Sequence, residues 1–214
     1  MALDVGHSPE VPGATSARGV PEYAFNLALA QEIADAARRI GIRAVLLDDA
    51  ARGPFRLSQR PLAAARRGAS LFLSIHHDSV QPRYIETWVH DGQERKFSDR
   101  YRGYSLFVSA RSSRLKESRD LADRIGDGLL SAGLKPTLHH AEDIPGERKP
   151  LLDARRGVYR YDNLIVLHRS PLPAVLVEAG VIVHRDEELA LALPQFRARF
   201  AAAIAGAVAA HCRR

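Results

Sequence analysis

The chain reads as a three-layer α/β sandwich, with a mostly parallel, mixed central sheet of about six strands flanked by helices. Strand-like and helix-like segments alternate along its length, which is the pattern of crossover connections in such sheets. The run SLFLSIHHD at residues 70–78 is almost unbroken in its apolar part, as in a strand covered on both faces. With 214 residues, 46% hydrophobic and 26% charged, there is enough apolar material to bury one full core. A single domain over residues 1–214 is therefore expected.

The elements follow from hydrophobic period and punctuation. A short strand over residues 2–6 places Asp4 between Leu3 and Val5 and stops on Gly6-His7-Ser8-Pro9. After a polar loop, a helix runs from about Pro21 to Ile40. Pro21 suits its first turn, where the missing N–H would be unbonded anyway, and Gly41 suits its end. The strand IRAVLLDD, a loop with Pro54 and a helix through SQRPLAAARRG come next, then the strand at 70–78. Beyond a long charged loop the pattern gives a strand at GYSLFVSA and a helix from about Ser112 to Ala132. A loop through HHAEDIPGERKP follows, with one helical turn near Leu152. Strands at NLIVLHR and PAVLVEAG, a short helix near Asp186 to Leu193 and a closing helix from about Pro194 to His211 complete the order.

Composition narrows the function. The net charge of +6 favours an acidic partner, but the arginines are spread along the chain rather than gathered around aromatic residues, so nucleic acid is not expected. The longest apolar tract, FAAAIAGAVAAH, is too short for a membrane span. Cys212 is the single cysteine, so no internal disulfide can form. The first strand starts beside Met1, from which we expect any export signal to be absent from this chain.

Three strands end in groups able to do chemistry: the first in His7, the third in His76 and His77, the late one in Glu178. In open α/β sheets sites form at the carboxyl ends of the strands, and Glu22, in the first turn of the first helix, reaches the same edge if its loop folds back. Two imidazoles and a carboxylate from separate elements suit tetrahedral zinc with one position left for water, and a further carboxylate could take that water's proton. His76 and His77 point to opposite faces of a regular strand, so only one of them can face such an ion. The ordinary readings are a local hydrogen bond for His7 and a helix-dipole charge for Glu22. Glu178 is harder to explain away, because an unpaired carboxylate ending an apolar strand carries a desolvation cost.

LDVGHS, then GVPEYAFNLALA, then LFLSIHHDS and finally LPAVLVEAGVIVHRDEE resemble, in this order and over nearly the whole chain, the zinc-dependent N-acetylmuramoyl-L-alanine amidases of the amidase_3 type. The resemblance implies a hydrolase of cell-wall peptidoglycan, working with one Zn2+ per chain in the periplasm or outside the cell. It implies that His7, Glu22 and His76 are the zinc ligands and that His77 is a packed neighbour. Glu178 would be the general base and then the general acid as a metal-bound water attacks the amide between the lactyl group of muramic acid and L-alanine. Family members commonly have Pro-Gly-His-Gly where this chain has Val5-Gly6-His7-Ser8, and a small residue then Asn where it has His77-Asp78. Another zinc amide hydrolase, such as a peptidase, or a non-catalytic wall-binding regulator on the same fold are the alternatives.

Two loops exceed what the family core needs, roughly Gln81 to Arg102 and His139 to Tyr161. Some family members carry an inserted segment that covers the zinc until a protein activator moves it, and Glu142, Asp143 or Glu147 would be the occluding group here. The plainer reading, a solvated loop lining the substrate groove, is preferred. Arg148, Arg155 and Arg156 are candidates to pair with stem-peptide carboxylates. The basic piece QERKFSDRYRG is read as a solubility feature, and His168, His184 and His211 as structural or surface residues.

Overall fold

The computed structural model of the protein describes residues 1–47 and 57–213, so the end of IRAVLLDD and the Pro54 loop lie outside the described residues. In chain order its elements are β1 (Ala2–Val5), α1 (Glu22–Arg39), β2 (Val45–Leu47), α2 (Arg60–Arg66), β3 (Phe72–Asp78), β4 (Glu86–His90), β5 (Gln93–Phe97), β6 (Ser105–Val108), α3 (Leu115–Ser131), β7 (Leu151–Asp153), β8 (Val158–Arg160), α4 (Ile165–His168), β9 (Ala174–Val181), α5 (Arg185–Ala192) and α6 (Pro194–Cys212). Seven strands form a mixed sheet in the order β2-β1-β3-β9-β6-β8-β7.

Strand alternation sorts the core into two faces. Leu3, Val5, Leu73, Ile75, Val175 and Val177 pack under α1, α3 and α6, whose apolar residues recur at helical spacing: Leu29, Ile33 and Ala37; Leu121, Ile125 and Leu129; Phe200, Ile204 and Val208. Ala2, Phe72, Phe107, Tyr159, Ala174 and Leu176 face the other way, against Ala64 of α2 and Val166 and Leu167 of α4. On this second face the even-numbered residues turn polar toward the carboxyl ends, giving Asp4, Ser74, His76 and Glu178. β1, β3 and β9 are parallel neighbours. β6 runs antiparallel to β9, with Ser105 opposite Glu178, so its start reaches the edge where the other three end.

Three expectations need correction. NLIVLHR is not a strand: Ile165–His168 is one helical turn that buries Val166 and Leu167 on the sheet's second face. So short an apolar run fits a buried helical turn as well as a strand. The helical turn near Leu152 is instead β7, paired antiparallel with β8, which raises the count from about six strands to seven. The stretch at 81–102 contains the hairpin β4–β5, turned by Asp91 (φ 50°) and Gly92 (φ 72°). Two positive φ angles in a two-residue loop match the twist of the flanking strands, and Asp-Gly is a sequence signal for that turn. Trp88 ties the hairpin down: its indole N–H donates to the Ala17 carbonyl at 3.0 Å, with Arg18 and Arg185 over the ring. Among the described residues, no helix is long and apolar enough to cross a membrane.

Candidate active site

The site begins where β1 leaves the sheet. His7 adopts φ 67°, a left-handed conformation uncommon for a residue other than glycine. Arg60 of α2 holds that exit: it donates to the carbonyls of Val5 (2.7 Å) and His7 (3.1 Å) and pairs with Asp4 Oδ1 at 3.0 Å. Ser74 Oγ donates to the other Asp4 oxygen at 2.7 Å. Gly6 is required by the close approach of β3, since a Cβ there would lie 2.5 Å from the His76 ring.

Glu22, the first residue of α1, is buried between two imidazoles. Its Oε2 is 3.0 Å from His7 Nε2 and its Oε1 is 3.0 Å from His76 Nδ1, and the two rings meet edge to face with centroids 5.0 Å apart. The backbone N–H of Ala14 donates to Oε2 at 3.0 Å, and Asn26, one turn along α1, donates to Oε1 at 3.1 Å and to the Gly6 carbonyl at 3.1 Å. Burial alone would raise the Glu22 carboxyl, but hydrogen bonds from His7 and His76 outweigh it and hold the group well below the usual carboxylate range. Gly13 (φ 80°) closes the cradle: a Cβ there would sit 2.4 Å from Glu22 Oε2 and 2.6 Å from the His7 ring. His77 points to the opposite face, buried against Phe25 with Nδ1 2.8 Å from Asn26 Oδ1, and burial pushes its pKa down to about 3. Two imidazole nitrogens and a carboxylate gathered this closely are a donor set that fits zinc.

Glu178 lies in register with His76 on the adjoining strand. Its Oε2 is buried without a hydrogen-bond partner, and burial, reinforced by the negative charges of Asp78 and Glu22, pushes its carboxyl well above the usual value. A cavity of about 460 Å³, lined in part by His7, His76, Arg60 and Leu176, adjoins one of about 270 Å³ lined in part by Glu178, Asp78, His140 and Glu147. Leu164 and Leu176 form part of both walls.

The loop candidates are engaged by partners outside the His7–Glu22–His76 cluster. Glu142 is engaged by the Tyr101 hydroxyl, Asp143 by Arg148, and Glu147 by His140 and Gln81. Arg155 and Arg156 pair with Asp127 on α3, and Arg156 also with Asp153. Sequence reasoning missed Arg60, for which nothing local signals a role at the end of β1. It also missed Asp78, His139 and His140 as a group, although the second His-His doublet was a visible signal.

Comparison with known proteins identifies the family and the fold. The Amidase_3 family, N-acetylmuramoyl-L-alanine amidase, matches residues 1–210. N-acetylmuramoyl-L-alanine amidase AmiA of Salmonella typhimurium is 28% identical over 97% of this chain and 74% of its own. Two solved structures share the fold. The N-acetylmuramyl-L-alanine amidase Ami1 of Mycobacterium smegmatis superposes with a TM-score of 0.75 at 20% identity, covering 98% of this chain and 94% of its own. The CwlD amidase of Clostridioides difficile, solved in complex with the GerS lipoprotein, gives 0.70 at 18%, covering 99% and 97%. With the family match spanning all but the last four residues, this chain belongs to the Amidase_3 family of N-acetylmuramoyl-L-alanine amidases, enzymes that hydrolyse peptidoglycan.

Proposed function

We propose that this chain is a single catalytic domain that hydrolyses the amide between the lactyl group of N-acetylmuramic acid and the L-alanine of the stem peptide. His7, Glu22 and His76 hold one zinc ion, and Glu178 carries the proton. The observation that supports this most directly is the carboxylate of Glu22, 3.0 Å from each of two histidines on parallel strands, with an unpartnered carboxyl in register beside one of them.

Zinc bound by these three donors supplies a Lewis acid that polarises the amide carbonyl and makes attacking water more acidic. Glu178 takes a proton from the water as its oxygen bonds to the carbonyl carbon. It then delivers that proton to the amine nitrogen as the C–N bond breaks. Arg60 and Asn26 fix the backbone and carboxylate that aim His7 and Glu22. The polymer substrate assigns the work to the periplasm or the cell exterior. A protein activator belongs to this reading too, since one amidase of the same fold is solved with a lipoprotein.

Glu178→Gln tests the assignment. Release of new L-alanine amino termini from muropeptides is expected to fall by about 10²–10⁴-fold, the usual worth of a positioned general base, with zinc content and thermal melting retained. Digestion at the parent rate would remove Glu178 from the mechanism, and amino termini other than L-alanine would make the chain a peptidase.

A further inference from the structure

We propose that the protein carries a second site for a zinc-class divalent cation, built from Asp78, His139 and His140. Asp78 ends β3, and the two histidines open a short helical turn, His139–Ala141, after α3. Asp78 Oδ2 lies 2.8 Å from His140 Nε2 and 3.3 Å from His139 Nε2, and the donor atoms of the three residues all fall within 4.8 Å of one another. Donors on a tetrahedral ion with bonds of about 2.0–2.1 Å stand about 3.3 Å apart, within about half an ångström of both separations to Asp78.

The surroundings set this group apart from an ordinary ion pair. His139 is 2% exposed, and its Nε2 is buried with no hydrogen-bond partner, because its approach to Asp78 lacks hydrogen-bond geometry. The other nitrogen of each ring is already engaged: His139 Nδ1 lies 2.9 Å from Thr137 Oγ1, and His140 Nδ1 lies 3.0 Å from Glu147 Oε2. Glu147 is itself held by Gln81 Nε2 at 2.6 Å and Lys149 Nζ at 3.2 Å. Both Nε2 atoms are thus left facing one carboxylate. A histidine whose far nitrogen is pinned by a carboxylate or hydroxyl is the supported form of a metal ligand.

Aromatic rings flank both histidines. Tyr101 stacks on His139 with centroids 5.1 Å apart, and Phe107 and Tyr159 meet His140 edge-on at 5.0 and 5.6 Å. Two imidazoles and one carboxylate select zinc and its transition-metal neighbours over magnesium or calcium, which prefer all-oxygen shells. An ion here would fasten the 139–150 segment to the end of β3, on the wall of the 270 Å³ cavity that Glu178 also lines. The site shares no ligand with His7, Glu22 and His76, so it stands or falls separately from the hydrolase reading.

The test counts metal on the full chain, stripped with chelator and re-equilibrated with zinc alone. The parent is expected to retain two ions per chain. Asp78→Asn, His139→Ala and His7→Ala should each retain one, and the His7→Ala/His139→Ala pair none. Circular dichroism melting checks that each variant folds. Should His139→Ala unfold, Glu147→Gln decides: it keeps all three ligands and is expected to weaken the second ion about 10–100-fold through loss of its support. A parent that holds one ion, lost in His7→Ala and kept in His139→Ala, overturns the proposal. So do two ions that survive both Asp78→Asn and His139→Ala. One ion dependent on His139 but not on His7 would uphold this site while removing the zinc assignment made for the first.

Discussion

Replacing Arg60 with Met isolates what anchors the end of β1. Arg60 is 8% exposed and Asp4 1%, so the substitution leaves a carboxylate inside the protein without its cation and removes the guanidinium donors to the carbonyls of Val5 and His7. Breaking one side of a buried pair costs about 3–5 kcal/mol, far more than the pair's net worth, because the remaining charge stays desolvated. For a chain of this length about 2–4 °C accompanies each kcal/mol, so melting should fall by roughly 6–20 °C. Burial already pushes the Asp4 carboxyl above its usual range, against the pull of Arg60 and Ser74, so in the variant it should take up a proton and the penalty should shrink as pH falls. The assay is a double-mutant cycle by urea denaturation in the presence of chelator: parent, Asp4→Asn, Arg60→Met and the pair. The double variant should be more stable than the sum of the single losses allows. Coupling below about 0.5 kcal/mol, the scatter expected of independent sites, would refute the claim that the two residues act as a unit.

Two other predictions follow from local geometry. Gly13→Ala places a Cβ 2.4 Å from Glu22 Oε2 at φ 80°, so zinc affinity measured by chelator competition should weaken at least about 10-fold through the displaced ligand, and affinity equal to the parent's would show that Gly13 does not shape the cradle. Burial of Glu187 raises its carboxyl from 4.5 to about 7, against backbone N–H donors from Val181 and Gly103 and the charge of Arg102, with Asp78 adding to the rise. A carboxyl raised on folding contributes stability that is fully present below 4.5 and lost as pH climbs through about 7. Relative to Glu187→Gln, the parent should therefore lose on the order of 3 kcal/mol between pH 4.5 and 8 in denaturant titrations, and a pH-independent difference would rule out a raised Glu187.

What could be read from the chain divides along local and non-local information. β1, β3 and β9 were legible because each carries its own apolar run, and α1 because Pro21 and Gly41 punctuate a periodic stretch. Residues 163–169 were misread because so few apolar positions fit a turn of helix as well as a strand, and only packing on an already filled sheet decides between them. β7 and β8 are three residues each and depend on pairing with one another and with β6, which no short window of sequence contains. Gathering His7 and His76 needed the rule that parallel strands end at one edge, Glu22 needed in addition that the loop before α1 fold back to that edge, and the family resemblance supplied their roles. Arg60 is 56 positions from Asp4, and its role rests on α2 packing under the sheet, so its sequence neighbourhood carries no trace of it. The same reasoning explains Asp78: beside His76 it reads as a neighbour of the first cluster. Only the return of the 139–150 segment onto the end of β3 gives it different partners, and the course of a loop is what hydrophobic periodicity leaves undetermined.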